Sequence, residues 1–417
     1  MLDQSFSVKS LLKMTDKNEI IKFNLGRMKS DYESNLKPIS DILLDENYKF
    51  SGIDRSKLNQ KDVFFTISPQ DHYALKKISK DLKRLYKISM SNRDDISEQV
   101  LRILESSFRY SIVRLDIKNF YESIKYDSLY EKLFRDKLLT SKSLSILDEL
   151  SNYVDKCIPR GLSISPVLSE IFMREIDYKI QRIESIYYYA RYVDDIIIIS
   201  SSNSDFIYNE VSDILKAHNL KINKKTYKTD VELPSEYNFS TVKKFDFLGY
   251  KYTVRNKVYN RKRIVDVTLS DDKVRKIKSR IVHSIISRAY DTGTDAKKSE
   301  LFIKRINVLA GNYPITSSKD ELGTLKGGLF YSNRLVNKAC IFFDFNKFLK
   351  KAIYSKRNNF FGRAVSKITV SEKNELANIC FSKGFRDRTY YLYSLEEMNE
   401  IKQCWKNKNH KRKKRIS

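Results

Sequence analysis

Residues 187–200 read YYYARYVDDIIIIS. Tyrosines and isoleucines flank two adjacent aspartates, Asp194 and Asp195, and each flank is of strand length, so the stretch predicts a β-hairpin with carboxylates at its turn. Like charges held that close raise each other's pKa unless a cation compensates them, and nothing nearby in the sequence does so. The bland alternative is a solvated acidic turn. A third acid weighs against it. Asp116, in SIVRLDIKNFYESI (111–124), stands between Leu115 and Ile117 in a second strand-like segment, where an acid needs a partner. Three carboxylates on two strands of one sheet form a cluster able to hold two divalent ions roughly 3.5–4 Å apart, the apparatus of phosphoryl transfer. Oxygen-only ligands suit Mg²⁺ rather than zinc, with Mn²⁺ able to stand in.

The totals fit a chain that handles a polyanion. Of 417 residues, 41% are apolar and 12% aromatic, enough for two or three subdomains with a real core. Lys and Arg number 79 against 52 Asp and Glu, a net charge of +27, which points to nucleic acid. An A/T-rich genome also enriches lysine, but it enriches acids with it, and here the acids lag. Cys157, Cys340, Cys380 and Cys404 form no CxxC pair, and His72, His218, His283 and His410 do not join them, so neither a zinc site nor a disulfide framework is expected. No run approaches the roughly 18 apolar residues of a membrane span, and the first residues lack an apolar targeting stretch. The expected compartment is the cytoplasm, with no membrane partner.

Pattern changes divide the chain into 1–110, mostly helical; 111–255, strands with one long helix; and 256–417, helical and basic. In the first, LKKISKDLKRLYKI (75–88) sets Leu75, Ile78, Leu82, Leu85 and Ile88 opposite a basic face. In the second, SPVLSEIFMREIDYKIQRI (165–183) reads as a helix with Ser165 as N-cap, Pro166 at the first helical position, and Val167, Leu168, Ile171, Phe172, Ile176 and Ile180 facing the core. VKKFDFLGYKYTV (242–254) reads as further strand. In the third, DDKVRKIKSRIVHSIISRAY (271–290) is a basic helix in which Lys273, Arg275, Lys276, Lys278 and Arg280 are expected to meet phosphates, and HKRKKRIS (410–417) is a basic tail. The fold class is α+β.

DIKNFY, IPRGLSISPVLSEI, RYVDD, LKINKKTYK and FDFLGY follow one another in the order and at about the spacing seen in reverse transcriptases. The ordered set, over about residues 110–250, resembles that family. The resemblance implies a right-hand polymerase: fingers in 1–110, a palm with an antiparallel sheet and an interleaved fingers segment in 111–255, and a helical thumb with a basic C-terminal part in 256–417. It implies that Asp116, Asp194 and Asp195 are catalytic and ligate the metals, joined by the backbone carbonyl of Ile117. It places Tyr121 under the sugar of the incoming deoxynucleotide, Arg160 and Gly161 against nucleotide and template, Lys225 near the triphosphate, and Phe247 and Gly249 at the hairpin gripping the primer. Arg160 stands where the family usually has glutamine, which puts fidelity and template choice in doubt. The fingers match least, and Arg93 is the candidate there for the triphosphate.

Retron strings, a cysteine-bearing nuclease module and an RNase H carboxylate set are not found in the sequence. What remains resembles the stand-alone antiphage and abortive-infection enzymes, and MLDQSFS, RGLSISPVLSE, LAGNY and GGLFYSNRLVNK are similar to the smaller polymerase of the two-polymerase type 3 systems. That implies an RNA template, a noncoding RNA, with a DNA product, and a second reverse transcriptase subunit; oligomerisation stays open. So do two other readings: template-independent or protein-primed nucleotide addition, and a catalytically silent nucleic-acid scaffold.

Overall fold

A computed structural model describes residues 2–58, 61–234, 242–315 and 326–406. The basic tail at 410–417 lies outside the described residues. The chain forms two compact units, one from Met1–Ile96 with Phe108–Glu232, the other from Ser97–Ser107 with Leu233–Ser417. Helices and sheets mix in both.

The first unit holds a hairpin of β1 (Ile53–Leu58) and β2 (Lys61–Thr66), and an antiparallel sheet of β3 (Tyr110–Asp116), β4 (Ile186–Tyr192), β5 (Asp195–Ser200) and β6 (Tyr227–Val231) in the order β4-β5-β3-β6. The four isoleucines of β5, Ile196 to Ile199, are fully buried. Strand alternation sends Ile196 and Ile198 into the main core with Val113 and Leu115 of β3, while Ile197 and Ile199 fill the opposite, equally covered face. A strand covered on both faces reads as an unbroken apolar run, and each buried isoleucine contributes roughly 1.5–3 kcal/mol. The helix Ser165–Gln181 packs against β4, and the helix Ser204–Ala217 against β3 and β6. Five of the six apolar residues expected to face the core from Ser165–Gln181 are buried, and Phe172 packs against the core partly exposed.

The mostly helical first 110 residues also carry the β1–β2 hairpin, which the sequence does not signal because IDRSKL is almost wholly exposed and shows no alternation. Two sequence expectations in the first unit need correction. The segment 111–124 is not one strand. It leaves the sheet at Asp116, turns at Asn119 (φ +50°) and forms the short helix Phe120–Ser123. Ser165 does not cap its helix, whose N-cap position is Ile164; its hydroxyl donates instead to the Pro159 carbonyl and closes the preceding loop.

The second unit carries the meander β7 (Val242–Phe247), β8 (Tyr250–Tyr259) and β9 (Lys262–Leu269), a sheet separate from the first. Sheet therefore extends past residue 256, where helix alone was expected, because KRIVDVTL is buried over most of its length. The helix Asp271–Tyr290 follows, capped by Ser270, whose side chain accepts from the Lys273 amide. Then come Asp295–Ala310, a small pair of β10 (Asn312–Pro314) with β11 (Lys326–Gly328), Cys340–Ile353, three shorter helices and Leu395–Lys406. Among the described residues no helix is long and apolar enough to cross a membrane.

Candidate active site

Register decides the geometry. Asp116 closes β3 and pairs directly with Asp195, which opens β5, while Tyr192 pairs with Asp195 from the other side. The two residues between β4 and β5, Val193 and Asp194, make the turn, with Val193 in the left-handed region at φ +60°. That conformation is unfavourable for a β-branched residue, so the turn is held from outside. The Ile117 amide donates to the Asp194 carbonyl at 3.1 Å. The buried Arg191 guanidinium donates to the Val193 carbonyl at 3.0 Å and is gripped by Glu170 (2.6 Å) and Asp177 (2.7 Å), both from the helix Ser165–Gln181. Two carboxylates on one buried guanidinium also keep Arg191 firmly charged.

Three carboxylates thus gather at one end of the sheet. Burial pushes Asp194 up from its ordinary range, and Asp116 and Asp195 push it further. Burial likewise raises Asp195, against the pull of Arg114. Asp195 accepts from Arg114 at 2.6 Å, and Asp116 from the Asn223 side chain at 2.6 Å, while the Asn223 amide also donates to the Asp116 carbonyl. Arg114 lies two residues before Asp116 and so on the same face of β3. Its Nε is buried without a hydrogen-bond partner. As the side chains stand, no three acidic, His or Cys groups among the described residues converge tightly enough to hold a metal.

The donor set nevertheless fits a hard divalent cation. It is all oxygen, and among the described residues the three carboxylates have one guanidinium in ion-pair contact, Arg114 on Asp195. Asp116, Asp194 and Asp195 would hold the ions once Asp116 and Asp195 give up or share their bonds to Asn223 and Arg114.

Beside the cluster, Arg160 lies over the Tyr121 ring at 5.1 Å and pairs with Glu122 at 3.2 Å, and its charge also reaches Asp194. Burial raises the Tyr121 hydroxyl, and Phe120 is fully buried. Gly161 has φ +104°, and a Cβ there would stand 2.5 Å from the Phe64 carbonyl of β2. The Phe64 amide donates to the Arg160 carbonyl at 2.7 Å, so the close approach that glycine permits is to β2. Lys225 is exposed, and its carbonyl faces Arg114. Arg93 opens the helix Arg93–Leu104 and pairs with Asp94.

In the second unit, Leu248 and Gly249 have φ +45° and +80° and turn β7 into β8. Phe247 is buried, so it anchors that hairpin. The basic helix sorts its cations: Lys273 donates to the Ser332 carbonyl, Arg275 pairs with Asp272, Lys278 lies over Phe348, and Arg280 lies over Trp405. Sequence reasoning gave no role to Arg114, Arg191, Glu170, Asp177 or Asn223. The one available signal was spacing, since Arg114 stands two residues before Asp116 and shares a strand face with it.

Residues 60–252, somewhat under half of the chain, match the family described as reverse transcriptase (RNA-dependent DNA polymerase). No curated protein matches the chain. Among solved structures, apo telomerase from Candida tropicalis is similar at 12% identity and TM-score 0.34, over 80% of this chain and 56% of that one. Telomerase from Candida albicans in complex with the TWJ fragment of telomeric RNA aligns at 14% identity and TM-score 0.31, over 80% and 54%. Apo Candida tropicalis telomerase truncated from its C-terminal domain aligns at 14% and 0.32, over 48% and 45%. The chain spans about half the length of these telomerases, and likeness at such TM-scores carries no argument about the site. Asp116, Asp194 and Asp195 all lie inside the stretch, residues 60–252, that matches the reverse transcriptase family.

Proposed function

We propose that the protein is an RNA-directed DNA polymerase working by two-metal nucleotidyl transfer. The observation that carries this reading is the pairing of Asp116 with Asp195 beside Asp194, in a cluster whose two turn-side carboxyls are raised by burial and which has one ion-paired guanidinium for three acids. The cations such a site takes, Mg²⁺ or Mn²⁺, would supply Lewis-acid activation of the primer hydroxyl and neutralise the departing pyrophosphate. The carboxylates, with the Ile117 carbonyl, fix the position of that charge, and Arg191 holds the turn presenting Asp194. The Tyr121 ring, steadied by Arg160, lies under the sugar, and Lys225 and Arg93 serve the phosphates. In this reading residues 1–110 are fingers, 111–255 palm and 256–417 thumb, with Phe247 and Gly249 in the primer hairpin.

The physiological reading is antiphage defence in the cytoplasm, copying a noncoding RNA alongside a second reverse transcriptase subunit. It rests on the sequence resemblance alone. A second reading, a silent nucleic-acid scaffold, is favoured by one observation: Asn223 and Arg114 satisfy two of the three acids without any ion. Primer extension by the purified protein in Mg²⁺, with the product sequenced, tests both. Templated DNA lost in Asp194→Asn supports the polymerase. Product unrelated to the supplied RNA means untemplated addition, and no product in any divalent cation means a scaffold.

A further inference from the structure

We infer that a cavity in the second unit, walled by Lys276, Arg280, Tyr313, Lys402, Trp405 and Lys406, is a binding site for a phosphate-bearing nucleotide. The cavity measures about 430 Å³ and, among the described residues, has no aspartate or glutamate in its lining. That volume lies at the lower end of small-ligand sites. Two of its cations are held by rings. Arg280 lies over Trp405 at 5.2 Å, and Lys402 over Tyr313 at 5.1 Å. An aromatic face holds a cation in place while leaving its charge uncancelled, whereas a carboxylate would cancel it.

Crowding these cations away from water disfavours their charged forms. Burial pulls the Arg280 guanidinium down, and burial with the like charges of Arg280 and Lys406 pulls Lys402 down. An arriving phosphate relieves both. Two further observations favour a nucleotide over bare phosphate. Ile277, Val308, Leu309 and Leu329 give the cavity an apolar wall suited to a base. Asn333, only 2% exposed and also in the lining, has its side-chain oxygen without a hydrogen-bond partner, although its amide nitrogen donates to the Leu329 carbonyl at 2.6 Å. A base amino group or sugar hydroxyl would satisfy that oxygen. The same chemistry is offered by a free nucleotide and by one nucleotide of a strand. The inference does not depend on the carboxylate cluster.

Calorimetric titration of the full chain in excess chelator keeps the two sites apart, with adenosine monophosphate, adenosine, a short single-stranded RNA and a glutamate peptide as probes. The monophosphate is expected to bind, and adenosine to bind at least roughly tenfold more weakly, the worth of one charge-assisted contact. Lys402→Glu should lose a similar factor and Lys402→Arg should retain binding, with thermal midpoints near wild type; Lys406→Glu decides if Lys402→Glu unfolds. RNA that displaces the monophosphate identifies a strand as the source, and RNA that leaves it bound identifies a free nucleotide. Equal binding of adenosine and its monophosphate, equal displacement by the glutamate peptide, or wild-type affinity in a folded charge-reversed variant overturns the inference.

Discussion

The carboxylate end of the β3–β5 sheet and the cationic cavity of the second unit each crowd like charges into a poorly solvated place, and they hold them differently. The acids are hydrogen-bonded by Arg114 and Asn223, so their charge is partly spent within the protein. Two cations of the cavity, Arg280 and Lys402, lean on Trp405 and Tyr313, which cancel no charge. The contrast has a physical cause. A carboxylate cannot be stabilised by the negative face of a ring, whereas a guanidinium or ammonium can. A cluster of half-buried acids must therefore wait for its cations in borrowed bonds.

The largest effect expected at the acid end is on synthesis. Asp194→Asn should lower nucleotide incorporation in Mg²⁺ by about a thousandfold or more, since several kcal/mol of transition-state stabilisation leave with one ligand. Single-turnover primer extension measures it, and a near-wild-type rate would make the acid cluster a structural feature like any other turn. Arg191→Met tests the support beneath. It strands Glu170 and Asp177 without their buried cation, so stability should fall by about 3–5 kcal/mol in denaturant titration. Unchanged stability would mean that the turn stands without it. Phe120→Ala should cost a similar amount, about 3–5 kcal/mol. Tyr121→Ala should instead raise ribonucleotide use relative to deoxynucleotide use, read by competition in the same extension assay. Discrimination that does not move would show that this ring is not the gate.

A smaller effect separates the electrostatics of the acids from their chemistry. Asp194 and Asp195 have folded-state pKa values raised above the unfolded value of 3.8, so the folded state binds more protons, and stability falls as pH rises from that value through the folded pKa. Asp194→Asn should therefore stabilise the metal-free protein modestly at neutral pH, with the gain vanishing at low pH where the native carboxyl is protonated. A gain that persists below pH 3.8 would have another origin. Smallest is the salt response of the cationic region. Lys276→Ala should reduce the slope of log affinity for RNA against log salt by about one unit or slightly less. No change would return Lys276 to a solvated helix face.

The hairpin YYYARYVDDIIIIS was legible because a strand buried on both faces reads as an apolar run and two adjacent acids mark its turn. Asp116 was legible because an acid between Leu115 and Ile117 demands a reason. The helix Asp271–Tyr290 was legible as a basic helical segment, and the turn at Gly249 by its glycine. What the sequence hid was of two kinds. The β1–β2 hairpin and the departure from the sheet at Asp116 involve polar residues and a left-handed asparagine, which carry no periodicity. Arg114, Arg191 and Asn223 were hidden because an arginine in a net-basic chain looks like one more surface charge until burial and partners are known. The partners of Arg191 lie 14 and 21 residues away in sequence, on the helix Ser165–Gln181, a pairing that only the packed sheet creates.

The central claim is that Asp116, Asp194 and Asp195 hold divalent ions despite the bonds that now occupy two of them. Direct titration of Mn²⁺, followed by electron paramagnetic resonance on the protein with primer, template and deoxynucleotide, tests it without relying on turnover. The account predicts two bound ions in the wild type and weakened or lost binding in Asp194→Asn. Wild-type protein that takes up no Mn²⁺ under those conditions, or a variant that binds as tightly as the wild type, would contradict it.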